Sequence, residues 1–177
     1  MRNDTKAILE AVQKGEMTVE EALLFLKKAP FEDIGYAKVD SHRAIRQGVA
    51  EVIFGAGKTV GQMLGIVEQM KKNGQQTILI TRLSEESAEQ ISAVYEMDYH
   101  KDARIGLIGS MPAPNGIGKI VVATGGTSDI PVAEEAALTA EVYGNKVTRL
   151  YDVGVAGLHR LLAHLDDIMS ASVVIAV

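Results

Sequence analysis

Apolar positions recur at helical spacing through the first thirty residues. Ile8, Leu9 and Val12 mark one short helix, and Val19, Ala22, Leu23 and Leu26 mark a second, with Gly15 between them. This spacing predicts a helical hairpin over residues 1–30, stopped by Pro30. Thr18 and Glu21 stand three residues apart at the start of the second helix. That is the capping-box arrangement, in which a hydroxyl and a carboxylate satisfy opposite orphan amides.

The pattern then changes to short apolar runs separated by helix-length stretches. EVIF (51–54), TILI (77–80) and RIGLIG (104–109) read as strands, with helices from Thr59 to Lys72 and from Ser84 onward. Alternation at this spacing favours crossover units, so residues 31–110 are expected to form a small α/β domain around a largely parallel sheet. Two prolines and two glycines around Asn115 break both periodicities and predict a linker over 111–118. From 119 to 177 the alternation resumes as a βαβαβ unit. KIVVAT, KVTRLYD and SVVIAV are its strands, and IPVAEEAALTAEVYG and GLHRLLAHLDDIM its helices. Strands this continuously apolar belong in a parallel sheet covered on both faces, so the fold class is α/β throughout. The last strand has no helix after it to cover its apolar edge, which leads us to expect the front part of a longer protein.

Composition narrows the function classes. With 47% hydrophobic residues the chain can build an ordinary core, and with no cysteine it carries no disulfide, no thiolate metal site and no thiol nucleophile. A net charge of -5 argues against a binder of nucleic-acid backbones. No apolar run approaches the roughly eighteen residues of a membrane span, and the first residues lack the apolar stretch of a signal peptide, which reads as a cytoplasmic protein.

Several loops carry candidate chemistry. FGAGKT resembles a phosphate loop, but Val52 stands where the full pattern needs its first glycine. What survives is an anion site made by Gly55, Gly57, the following helix start and Lys58, or a plain strand-to-helix turn. Lys38, Asp40, His42, Arg43 and Arg46 cluster within nine residues, as a site for an acidic small molecule or a solvated surface. His159 and His164 lie five apart rather than at the spacing of paired helical ligands, so no metal site is expected.

The segment TGGTSDIP holds the richest set. Gly125 and Gly126 offer backbone freedom, and Thr127, Ser128 and Asp129 offer caps for the helix that Pro131 helps to start. Two hydroxyls, a carboxylate and two glycines at the carboxyl end of a parallel strand exceed what a turn requires and favour a ligand loop. The next strand ends in YDVGVAGLHR, where Asp152, Gly154, His159 and Arg160 hold the corresponding position. Arg160 is a candidate for a phosphate, against the alternative of a solvated helix face.

GGTSDIPVAEEA, RLYDVGVAGLHRLL and KVDSHRAIRQGVAEVIFGAGKT together resemble the LarB family of nickel-pincer cofactor biosynthesis proteins over essentially the whole chain. The part from Lys119 is similar to the phosphoribosylaminoimidazole carboxylase (PurE) fold, here as an incomplete three-layer domain. The resemblance implies carboxylation of the pyridinium ring of nicotinic acid adenine dinucleotide by carbon dioxide or bicarbonate, with phosphoanhydride hydrolysis and release of AMP. It implies a nucleotide facing Thr127, Ser128 and Asp129, supporting groups from Asp40 to Arg46, no tightly bound cofactor, and a homo-oligomer built on the PurE-like domain. In the family a cysteine thiolate is thought to attack the ring. This sequence has none, so the 177 residues alone are expected to be inactive. The competing expectations are an aminoimidazole ribonucleotide carboxylase and a nucleotide-binding module without catalysis.

Overall fold

The computed structural model describes residues 5–28, 31–40, 43 and 48–177. The chain divides into two compact units, Met1–Glu51 and Val52–Val177.

The first unit opens with α1 (Thr5–Gln13) and α2 (Val19–Lys28), the expected hairpin. Its capping box is closed: the Thr18 amide donates to Glu21 Oε2 at 2.9 Å and the Glu21 amide to Thr18 Oγ1 at 3.2 Å. An antiparallel ribbon of β1 (Phe31–Asp33) and β2 (Lys38–Asp40) follows, which the periodicity does not reveal because each strand is three residues long. Its turn is made by Gly35 at φ +89°, whose amide donates to Asp33 Oδ1.

The second unit contains two sheets. The first runs β3-β4-β6-β5, with β3 (Ile53–Phe54), β4 (Ile78–Thr81), β5 (Met97–His100) and β6 (Ile105–Ile108). Helix α3 (Val60–Lys72) connects β3 to β4, and α4 (Glu85–Ser92), capped by Ser84, precedes β5. The sheet is not largely parallel as expected. Only β3 and β4 run together, and β4–β6 and β5–β6 are antiparallel. The cause is β5: after it the chain reverses within Lys101–Arg104, with Arg104 at φ 52°, and so short a connection can only return antiparallel.

The second sheet is wholly parallel, in the order β8-β7-β9, from β7 (Lys119–Ala123), β8 (Lys146–Leu150) and β9 (Val173–Ala176). Helix α5 (Ile130–Val142) joins β7 to β8. The helix expected between β8 and β9 is two short ones, α6 (Leu158–Leu162) and α7 (Leu165–Met169), separated at Ala163 and His164. The α/β class read from the sequence is the class observed.

Helix α5 serves both sheets. Ala133 and Ala137 pack with Val122 of the second sheet, and Leu138 packs with Leu79, Ile105 and Leu107 of the first. Alanine suits a helix pressed on two sides, because a methyl group lets backbone approach backbone. Arg82 at the end of β4, held at φ 53°, adds an ion pair to Glu135 of α5 at 2.6 Å. Segment 111–118 is tied to the end of α5, with the Asn115 and Gly116 amides both donating to the Gly144 carbonyl.

Candidate functional site

The carboxyl ends of β7 and β8 lie side by side because those strands are parallel and in register, Ala123 opposite Leu150. Thr124 joins the two loops that follow. Its amide donates to Leu150 O at 3.0 Å, its carbonyl accepts from the Val153 amide at 3.0 Å, and its hydroxyl oxygen accepts from the Asp152 amide at 3.0 Å. Thr124 is 1% exposed, so this small polar group is fully used inside the protein. In the sequence it is the last residue of the apolar run KIVVAT, which does not mark it as a functional group. A threonine closing a buried strand immediately before paired glycines was the available signal.

Gly154 lies directly against Gly125. A Cβ at 154 would stand 2.3 Å from the Gly125 carbonyl oxygen. Gly126, by contrast, has extended backbone at φ -139°, and a Cβ there would make ordinary contacts with Asp129 Oδ2 at 3.6 Å and Ser128 Oγ at 3.8 Å. The expected backbone freedom at Gly125 and Gly126 is therefore not what the loop uses, since neither has a positive φ. Close approach between loops is the requirement, and it falls on Gly154.

Thr127–Asp129 form a 3-10 turn leading into α5, with Pro131 in the first helical turn. Asp129 does not cap α5 with its side chain as expected. It turns back, accepting the Gly126 amide at Oδ2 (2.9 Å), while the Ser128 hydroxyl donates to its Oδ1 at 3.3 Å. Asp129 itself has α-helical backbone, so its carboxylate cannot adopt the extended cap geometry. Thr127 and Ser128 are exposed, and among the described residues their amides have no partner. The turn presents two amides and the Thr127 hydroxyl at the positive end of α5, with the Ser128 hydroxyl engaged by Asp129, chemistry suited to an anion.

In the second loop Asp152 sits at φ 57° and accepts a hydrogen bond from Arg160 Nη1. The guanidinium lies against Gly157, where a Cβ would come within 2.7 Å of Nε. Arg160 is thus neither an unpartnered cation nor a merely solvated one. His159 is exposed.

FGAGKT has a structural account at each position. Gly55 donates to Thr81 O at 2.7 Å, and a Cβ there would lie 2.9 Å from the same oxygen. Gly57 turns the chain at φ +76°, Lys58 is half-buried, and Thr59 closes a capping box with Gln62 on α3. That box occupies donors an anion would need.

Of the charged cluster, Asp40 and Arg43 belong to the first unit, while His42 and Arg46 fall outside the described residues. The Asp40 amide donates to Glu51 Oε2. Burial pushes the Glu51 carboxyl above its ordinary range, partly opposed by that hydrogen bond. Among the described residues no group of three or more histidines and carboxylates is placed to hold a metal ion, and no helix is long and apolar enough to cross a membrane.

Beside the loops, Arg149 on β8 binds both oxygens of Glu141 at 2.6 and 2.8 Å and reaches Glu134 at 3.1 Å. The Tyr151 hydroxyl also donates to Glu134. The Glu141 hydrogen bonds raise the guanidinium pKa, and burial followed by Glu134 raises that of the phenol.

Comparison with known proteins adds two findings. Residues 31–110 match the LarB/PurE-like N-terminal domain. Over 180 aligned residues the chain is 33% identical to an uncharacterized protein of Methanocaldococcus jannaschii, covering 98% of this chain and 70% of that one.

Proposed function

Since this chain belongs to the LarB family, whose domain type carries a carboxylase-related role, we propose that it binds nicotinic acid adenine dinucleotide for carboxylation of the pyridinium ring. The ring gains a carboxyl group from carbon dioxide or bicarbonate and loses a proton, and water cleaves the phosphoanhydride to release AMP. The product is pyridinium-3,5-biscarboxylic acid mononucleotide, on the way to a nickel-pincer nucleotide.

The observation that carries this reading is the anion-ready turn at Thr127–Ser128, fastened through Thr124 to the loop bearing Arg160. Two such loops at the carboxyl ends of adjacent parallel strands hold a nucleotide phosphate between amides and a guanidinium. Gly125, Gly126, Asp129, Asp152, Gly154 and His159 shape or border those two loops. Lys58 stands as a supporting group for the acidic remainder of the substrate.

A pyridinium ring is an electrophile, and it accepts carbon dioxide only after a nucleophile has added and removed its positive charge. The thiolate that does this is not among these 177 residues, which hold no cysteine. The role assigned to this chain is to bind and orient the dinucleotide. Exposed Val155, Leu158, Leu162, Leu165 and Met169 support assembly into a homo-oligomer through the parallel-sheet part.

Calorimetric titration with nicotinic acid adenine dinucleotide tests the binding claim, with Thr127→Ala and Ser128→Ala expected to weaken affinity. Labelled bicarbonate, supplied to protein that also provides the cysteine, tests the chemistry. Incorporation into aminoimidazole ribonucleotide and none into the pyridinium dinucleotide would overturn the substrate assignment.

A further inference from the structure

Asp152 and Arg160 occupy one another in the second loop, each side chain 45% exposed. An ion pair so solvated is weak and exchangeable, so a phosphate can draw Arg160 away. Asp152 is anchored in the loop through its backbone. Its backbone is held at φ 57°, its own amide is bound to Thr124 Oγ1, and the next amide is bound to Thr124 O. Once Arg160 turns to a phosphate, the Asp152 carboxylate, tethered to the same loop, is left near a second anion. That arrangement is repulsive unless the incoming ligand also brings positive charge.

Resting on the nucleotide reading above, we infer that the Asp152–Arg160 pair selects ligands carrying both charges, with the phosphate going to Arg160 and a cationic ring to Asp152. The ligand class is a nucleotide whose base is a permanent cation. Nucleotides with neutral bases satisfy Arg160 and leave Asp152 uncompensated, so the pair discriminates by charge rather than by base shape. Gly157 keeps the guanidinium close to the loop backbone, because a side chain there would meet Nε and Nη2. Asp152 is by this account a specificity-determining residue.

The test compares two probes of nearly equal shape: nicotinamide mononucleotide, with its pyridinium cation, and its reduced dihydropyridine form, with an uncharged ring. Both are titrated into the chain in buffer containing a chelator. Wild type is expected to prefer the oxidised form by about tenfold, the ratio one solvated charge contact supports. Asp152→Asn keeps the left-handed backbone accessible and is expected to abolish the preference while both forms still bind. Arg160→Gln is expected to weaken both forms together.

Equal affinity of wild type for the two forms overturns the inference and leaves the nucleotide reading standing. Failure of wild type to bind either form also overturns the inference, and the dinucleotide titration then decides the nucleotide reading separately. An Asp152→Asn protein that loses affinity for both probes in equal measure, with the preference intact, gives Asp152 a structural role and overturns the inference. A preference that appears only when magnesium replaces the chelator assigns the compensating charge to a metal ion and also overturns it.

Discussion

The Thr124 hydroxyl accepts the Asp152 amide across 28 residues of sequence, at 3.0 Å and out of contact with solvent. Through this one oxygen the loop after β7 and the loop after β8 become a single rigid lip. Thr124→Val leaves the Asp152 amide without its acceptor in a site that excludes water. The expected cost is about 1–3 kcal/mol in urea denaturation. Thr124→Ser keeps the acceptor and loses one methyl group, for about 0.8 kcal/mol.

The two glycines that face each other across the lip differ from the one beside them. Gly154→Ala drives a methyl group to 2.3 Å from Gly125 O and forces the loops apart. We expect a loss of about 1–3 kcal/mol and weakened nucleotide affinity by titration. Gly126→Ala adds a methyl group in ordinary contact at extended backbone, with a stability change within about 0.5 kcal/mol. Equal effects of the two would show that backbone freedom, rather than loop contact, is what matters.

Glu51 supplies a pH dependence in the first unit. Its carboxyl is raised above 4.5, first by burial, against the Asp40 amide hydrogen bond and with smaller opposing contributions from the Asp40 and Arg43 charges. A raised acid binds more protons folded than unfolded, so stability falls as pH rises from 4.5 through the folded value. Glu51→Gln keeps an oxygen for the Asp40 amide and removes this slope. Hydrogen exchange at the Asp40 amide against pH measures it, and an unchanged slope in Glu51→Gln would count against the assignment.

Arg149 is expected to resist replacement by lysine. Its guanidinium spans Glu141 with two parallel hydrogen bonds and reaches Glu134 with a third nitrogen, a reach that one ammonium does not have. Arg149→Lys should cost about 1–2 kcal/mol by denaturation, reduced from the value for a fully buried charge because the cluster is partly solvated. Tyr151→Phe, which removes the donor to Glu134, should cost about 1 kcal/mol.

Much of this was legible one element at a time. The two capping boxes, Thr18 with Glu21 and Thr59 with Gln62, depend on residues three apart, as does the Ser84 cap. The three strands of the parallel sheet and the helices of the second unit follow from periodicity and punctuation, except that the periodicity does not show the break between α6 and α7. β5 was missed because its residues, Met97–His100, alternate too weakly over so short a run, and missing it made a mixed sheet read as parallel. The loop residues Thr127, Ser128, Asp152 and Arg160 were visible as polar groups at strand ends, and their pairings were not.

The amino-acid order determined where helices and strands form and which loops carry polar groups, because those outcomes rest on interactions within a few residues. Packing decided the rest. It placed α5 between two sheets, gave Gly154 rather than Gly126 the obligatory contact, turned Asp129 back onto its own loop, and set Asp152 against Arg160. Each of these depends on groups brought together across loops or between layers, where the partner's position follows from how whole elements stack rather than from any local propensity.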